Sequence, residues 1–159
     1  MISNIAEQME KYIRLKATKE KSLQRFHPWI FSGAIKTTSP GLKDGDVVTV
    51  LNNKERILGK AHYTNGSIAG RMLAFDYVEI DQSFWNNRIS AAYELRKNIG
   101  LINNPKTNIF RLVHAEGDHL PGLIIDFYNG TAIVQCHSVG MHRAIDLICE
   151  SLLQTTDGL

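Results

Sequence analysis

Apolar and polar positions over the first half of the chain recur with the two-residue period of half-buried strands. Ile13-Arg14-Leu15-Lys16-Ala17 alternates apolar and basic residues and reads as a strand with one wet, positive face. Val47 to Leu51 is rich in β-branched residues and reads as a buried strand. Asn52-Asn53-Lys54-Glu55 closes a hairpin into a strand over 56–63. Over 68–75, Ile68, Gly70, Met72 and Ala74 alternate with Ala69, Arg71, Leu73 and Phe75. Pro40-Gly41, Asp44-Gly45 and Asn65-Gly66 mark turns. Short strands at this spacing predict a small closed barrel over 12–78. Residues 1–10 lack the pattern and read as a frayed or weakly helical lead-in.

The period then changes. Asp81 can cap a helix beginning at Gln82, with Trp85, Ile89, Ala92 and Ile99 on its apolar stripe and Arg88, Arg96 and Lys97 off it. Gly100 is a stop, and Asn103-Asn104-Pro105 a loop. A strand is expected over 110–114, a polar loop over 115–121 and a strand over 122–128. Asn129-Gly130 is the strongest hairpin signal in the chain, returning as a strand over 131–136. Met141, Ile145, Ile148 and Leu152 predict one amphipathic helix with Ser138 near its start. The expected fold class is mixed α and β: a barrel over 11–80, a linker helix and loop over 81–105, and a small α/β domain over 106–159.

Length and composition narrow the class. With 159 residues, 43% hydrophobic and 21% charged, the chain suits one globular domain or two small ones. Its apolar runs, such as Leu123-Ile124-Ile125, are far too short to span a bilayer. Residues 1–10 do not resemble a secretory signal, so a cytoplasmic protein with no membrane partner is expected. Cys136 and Cys149 make no disulfide framework and are expected as buried structural thiols, not nucleophiles. His114, Glu116, Asp118, His119, Cys136, His137 and His142 have metal-binding chemistry but no recognised ligand spacing, so no metal is expected.

Charge changes the picture more. The net charge is only +2, yet residues 1–36 carry seven Lys/Arg against three Asp/Glu, and residues 111–159 two against six. The basic end therefore offers a polyanion-facing patch at Lys11, Arg14, Lys16, Lys19, Lys21 and Arg25. Within it, residues 19–35 interleave cations with Phe26, Trp29 and Phe31. Pro28 biases His27 away from the helical region, and Gly33 permits a bend. A short basic helix breaking at His27-Pro28 and re-entering as a strand at Ala34 fits this. Cations neutralise phosphates and rings stack on unpaired bases, which is nucleic-acid-binding chemistry. Core packing is the commoner use of Trp29 and Phe31.

Residues 14–35 resemble the opening of a PUA domain, an RNA-binding module. More closely, KSLQRFHPWIFSGAI resembles the N-terminus of the large-subunit rRNA methyltransferase I family. RLVHAEGDHLPGLIIDFYNGTAIVQCHSVGMHR is similar to that family's central domain, so the likeness runs from about Arg14 to Leu153. The resemblance implies a parent enzyme that uses S-adenosylmethionine to form 5-methylcytosine in 23S rRNA. Its chemistry would lie in a Rossmann-like C-terminal domain with a glycine-rich loop and a cysteine nucleophile. No Gly-x-Gly-x-Gly occurs in this sequence. Catalytic and cofactor-binding residues are therefore expected outside this chain, which would dock RNA and not methylate it.

On that view Arg14, Lys16, Lys19, Lys21 and Arg25 would contact phosphates. His27 and Ser32 would hydrogen-bond, and Trp29 would support the turn and stack. A homodimer stays open. Two other readings survive: a stand-alone RNA-binding adaptor without enzymatic activity, and a protein–protein module using the acidic second half.

Overall fold

The computed structural model describes residues 11–156. The lead-in expected over 1–10 lies outside them. The chain divides into two units, Met1–Val78 and Glu79–Leu159.

Among the described residues the first unit holds six strands: β1 (Tyr12–Leu15), β2 (Trp29–Phe31), β3 (Ile35–Thr38), β4 (Val47–Leu51), β5 (Ile57–Tyr63) and β6 (Ile68–Ala74). They form one sheet in the order β2-β6-β5-β4-β1-β3. Neighbours are antiparallel except β1 and β4, which run parallel with Ile13 opposite Val50. The apolar residues of the alternating runs converge. Ile13, Leu15, Val48, Val50, Ala61 and Met72 form one buried cluster, joined by Leu23 and Ile30. Each of these side chains larger than alanine contributes roughly 1.5–3 kcal/mol on leaving water.

The expected closed barrel is instead a curled sheet whose ladder leaves β2 and β3 as edges. Only the 3-10 turn Ser32–Ala34 separates those edge strands in sequence, so the sheet must bend to bring them together. The Lys16 N–H donates to the Ala34 carbonyl (2.8 Å), which ties β1 to that turn.

Gly59 shows why β5 needs a glycine. Its φ is +141°, and a Cβ there would sit 2.0 Å from the Ala74 carbonyl oxygen.

The basic helix expected before His27 is two 3-10 turns, Lys19–Lys21 and Leu23–Arg25. Only Leu23 is buried there, so no apolar stripe exists to hold an α-helix down. The chain pairs sooner than expected, too. The Met72 N–H donates to the Pro28 carbonyl (2.8 Å), and β2 begins at Trp29, ahead of Ala34.

The second unit contains α1 (Gln82–Asn98), an antiparallel meander of β7 (Ile109–His114), β8 (Leu123–Tyr128) and β9 (Thr131–Cys136), then α2 (Val139–Arg143) and α3 (Ile145–Thr155). Asp81 caps α1 by accepting the Phe84 N–H (3.0 Å). Asn129 and Gly130 both take positive φ, as their hairpin turn requires. The helix expected to link the units packs inside the second: Gln82 Nε2 donates to Ser151 Oγ (2.8 Å) and to the Leu147 carbonyl (3.0 Å).

Two details differ from expectation. The stripe on α1 is Trp85, Ile89, Ala92 and Arg96, while Ile99 is 62% exposed. The predicted final helix breaks at Ala144 (φ −91°, ψ 8°) into α2 and α3, with Ser138 capping α2 through the Met141 N–H.

Candidate RNA interface

Strand alternation in β2 settles which rings face outward. Ile30 is buried in the core cluster, so Trp29 and Phe31 fall on the other face. Trp29 is half-buried and Phe31 is 51% exposed, so Phe31 is not the core residue expected of it. The exposed His27 precedes this strand, and its Nδ1 accepts the Trp29 N–H (3.2 Å). That bond fixes the imidazole edge-on to Trp29, with ring centroids 5.9 Å apart, and 6.4 Å from Phe31. Trp29 and Phe31 are themselves near-perpendicular at 6.4 Å. The three rings form a surface cluster.

Cations lie on the adjoining segments. Lys19, Lys21 and Arg25 are exposed on the two 3-10 turns, and among the described residues their side chains make no hydrogen bond or ion pair. Lys16 Nζ donates to the Gly33 carbonyl (2.9 Å), which holds its charge near the turn after β2. Lys19, Ser22, Trp29, Phe31 and Gly33 border a cleft of about 340 Å³ with an apolar floor. Ser32 is exposed, and its N–H donates to the Ser67 carbonyl (2.9 Å).

Arg14 stands apart from these. Its guanidinium pairs with Glu55 (2.6 Å) and lies 5.8 Å from the Tyr12 ring centroid, with the side chain mostly buried. Lys11 likewise pairs with Asp46 (3.1 Å). The structure thus groups Lys16, Lys19, Lys21, Arg25, His27, Trp29 and Ser32 on neighbouring segments, while Arg14 is committed to an ion pair.

Sequence reasoning missed the display of Phe26. It is 69% exposed at φ +59°, with its ring edge-on to Phe75 at 5.2 Å. A left-handed phenylalanine leaves no sequence signal, because the conformation is imposed by the turn closing behind it.

In the second unit, Asp118 pairs with Arg96 and accepts the His114 N–H. It is a structural carboxylate and no free acid or base. Cys136 is half-buried, and burial, then the neighbouring Cys149, pushes its thiol up, away from nucleophilic character. Cys149 is exposed, contrary to the buried position expected for it, because it falls beside the apolar stripe of α3.

S-adenosylmethionine sites of doubly wound folds lie at the carboxyl ends of parallel strands joined by helices. The one parallel pairing among the described residues, β1 with β4, has no α-helix between its strands.

Residues 13–75 match the PUA-like domain family. The chain is 37% identical over 142 residues to Ribosomal RNA large subunit methyltransferase I of Alteromonas mediterranea, covering 88% of this chain and 35% of that protein. The same enzyme of Pseudoalteromonas translucida is 37% identical over 155 residues, covering 95% and 38%. The chain thus spans little more than a third of the length of these relatives. Among solved structures, a protein from Streptococcus mutans described as a SAM-dependent methyltransferase matches with a TM-score of 0.78 at 20% identity, over 92% of this chain and 38% of that one. A methyltransferase solved in complex with SAH matches with the same score and identity. These two establish shared fold.

Proposed function

For a chain that carries a PUA-like domain and is related to part of the Ribosomal RNA large subunit methyltransferase I proteins, we propose the role of RNA docking within an S-adenosylmethionine-dependent rRNA (cytosine-5) methyltransferase. The observation that carries the proposal is the exposed ring cluster His27, Trp29 and Phe31 beside the uncommitted cations Lys19, Lys21 and Arg25. Phosphates engage Lys16, Lys19, Lys21 and Arg25. His27 and Ser32 supply hydrogen bonds, and Phe31 with the half-buried Trp29 supplies stacking surface. Arg14 organises β1 through Glu55. The RNA is 23S rRNA, and the cofactor is held by parts of the parent protein that this chain does not supply.

The test is a salt-titrated binding assay with a 23S rRNA fragment. Neutralising Lys19, Lys21 and Arg25 together removes up to three phosphate contacts. It should flatten the slope of log K against log salt by roughly 2–3. An unchanged slope and affinity would rule out this patch.

A further inference from the structure

On the other side of the 3-10 turns lies a second cleft, of about 310 Å³, that the docking patch does not use. Its walls carry Gln24, Phe26, Asn52, Arg56, Phe75 and Asp76. The volume is at the lower end of the roughly 300–1,000 Å³ of small-molecule sites. We propose that this cleft receives one unpaired base of the docked RNA, guanine by preference, stacked on Phe26. The proposal rests on the RNA-docking reading above and adds a base-reading subsite to it.

Phe26 gives the first reason. A phenylalanine at φ +59° is disfavoured by about 1–2 kcal/mol, yet the ring it presents is 69% exposed. The left-handed turn is closed by the Phe26 N–H to the Leu23 carbonyl (2.9 Å) and the His27 N–H to the Ser22 carbonyl (3.0 Å), which glycine would serve without strain; the exposed ring is not needed by the turn, and strained residues gather at ligand sites. Its edge-on contact with Phe75 (5.2 Å) braces the ring and leaves one face open.

The polar rim gives the second. Among the described residues the side chains of Gln24, Arg56 and Asp76 make no hydrogen bond or ion pair, although Arg56 and Asp76 border the same cleft. Asn52 is already oriented: its Oδ1 accepts the N–H groups of Lys54 (2.9 Å) and Arg56 (3.0 Å), which leaves Nδ2 free to donate. A carboxylate accepts best from two adjacent N–H donors, and guanine alone offers that pair, at N1 and N2. A guanidinium suits the acceptors O6 and N7 of the same base. No other base satisfies both demands.

The experiment uses the 159-residue chain and four short single-stranded RNAs that differ only at a central G, A, C or U. Fluorescence anisotropy measures affinity at fixed low salt. The G oligonucleotide should bind tightest. Phe26→Gly should weaken it by roughly 5- to 150-fold, the loss of one stacked base. Glycine also relieves the left-handed strain, so melting temperature should hold or rise, separating lost stacking from unfolding. Asp76→Asn should erase the preference for G while leaving the A oligonucleotide's affinity unchanged. If all four RNAs bind alike and neither variant matters, while neutralising Lys19 and Lys21 still weakens binding, the subsite is wrong and the docking patch stands. If no RNA binds at low salt, both are wrong.

Discussion

Replacing Arg96 with methionine should strongly destabilise the second unit. Arg96 sits on the buried stripe of α1, where an apolar residue would ordinarily stand. Its guanidinium holds Asp118 with two hydrogen bonds, the longer at 2.8 Å, and donates from Nε to the Arg111 carbonyl (2.9 Å). The two side chains are 9% and 4% exposed. Arg96→Met keeps the stem's apolar packing but removes the charge and its hydrogen bonds, leaving Asp118 buried without its partner and the Arg111 carbonyl without the Nε donor. That situation typically costs about 3–5 kcal/mol. A domain of this size holds only about 5–15 kcal/mol in total, so the drop in melting temperature should be on the order of 15–30 °C. Far-UV circular dichroism reads it cleanly, because α1, α2 and α3 all lie in the second unit. The double variant Arg96→Met/Asp118→Leu leaves no buried charge and should recover much of the loss. A single-variant loss below about 1 kcal/mol, or a double variant as unstable as the sum of both singles, would refute the reasoning.

Neighbouring residues of β2 should separate stability from binding: Ile30→Ala should cost about 2–5 kcal/mol in denaturant unfolding, whereas Phe31→Ala should leave stability within about 0.5 kcal/mol and weaken RNA binding. Gly59→Ala should destabilise the first unit by about 3 kcal/mol or more, because its Cβ would collide with the Ala74 carbonyl at a φ that side chains rarely adopt; thermal melts would check it. The hydrogen bond and charge of Arg111 hold the Asp126 carboxyl below the usual carboxylate range. Its stabilisation is therefore complete above the ordinary carboxylate pKa, about 4, and is lost as pH falls through the lower folded value. Asp126→Asn should lower stability slightly at neutral pH and flatten its decline in acid, as melts across that range would record.

Local rules of pleat and turn made much of the fold readable. The strand at 131–136, the helix start at Asp81-Gln82 and the Asn129-Gly130 turn follow from period, cap and left-handed propensity, each acting within a few residues. What escaped depends on partners distant in sequence. β2 is too short to show an alternation and exists because β6 pairs with it. Arg96 reads as a surface residue until Asp118, 22 positions later, is brought against it. The break at Ala144 leaves the apolar period intact and so gives no warning. At the candidate interface the residue types were legible, but their commitments were not. Glu55 removes Arg14 from the free cations, and the facing of Ile30 into the core turns Phe31 outward.

Ultraviolet cross-linking of the 159-residue chain to a 23S rRNA fragment, with the attached peptides identified by mass spectrometry, tests the docking claim most directly. Cross-links should fall on residues 16–33, with Trp29 and Phe31 foremost and none on α1 to α3. Cross-links confined to the second unit, or none at low salt, would contradict it.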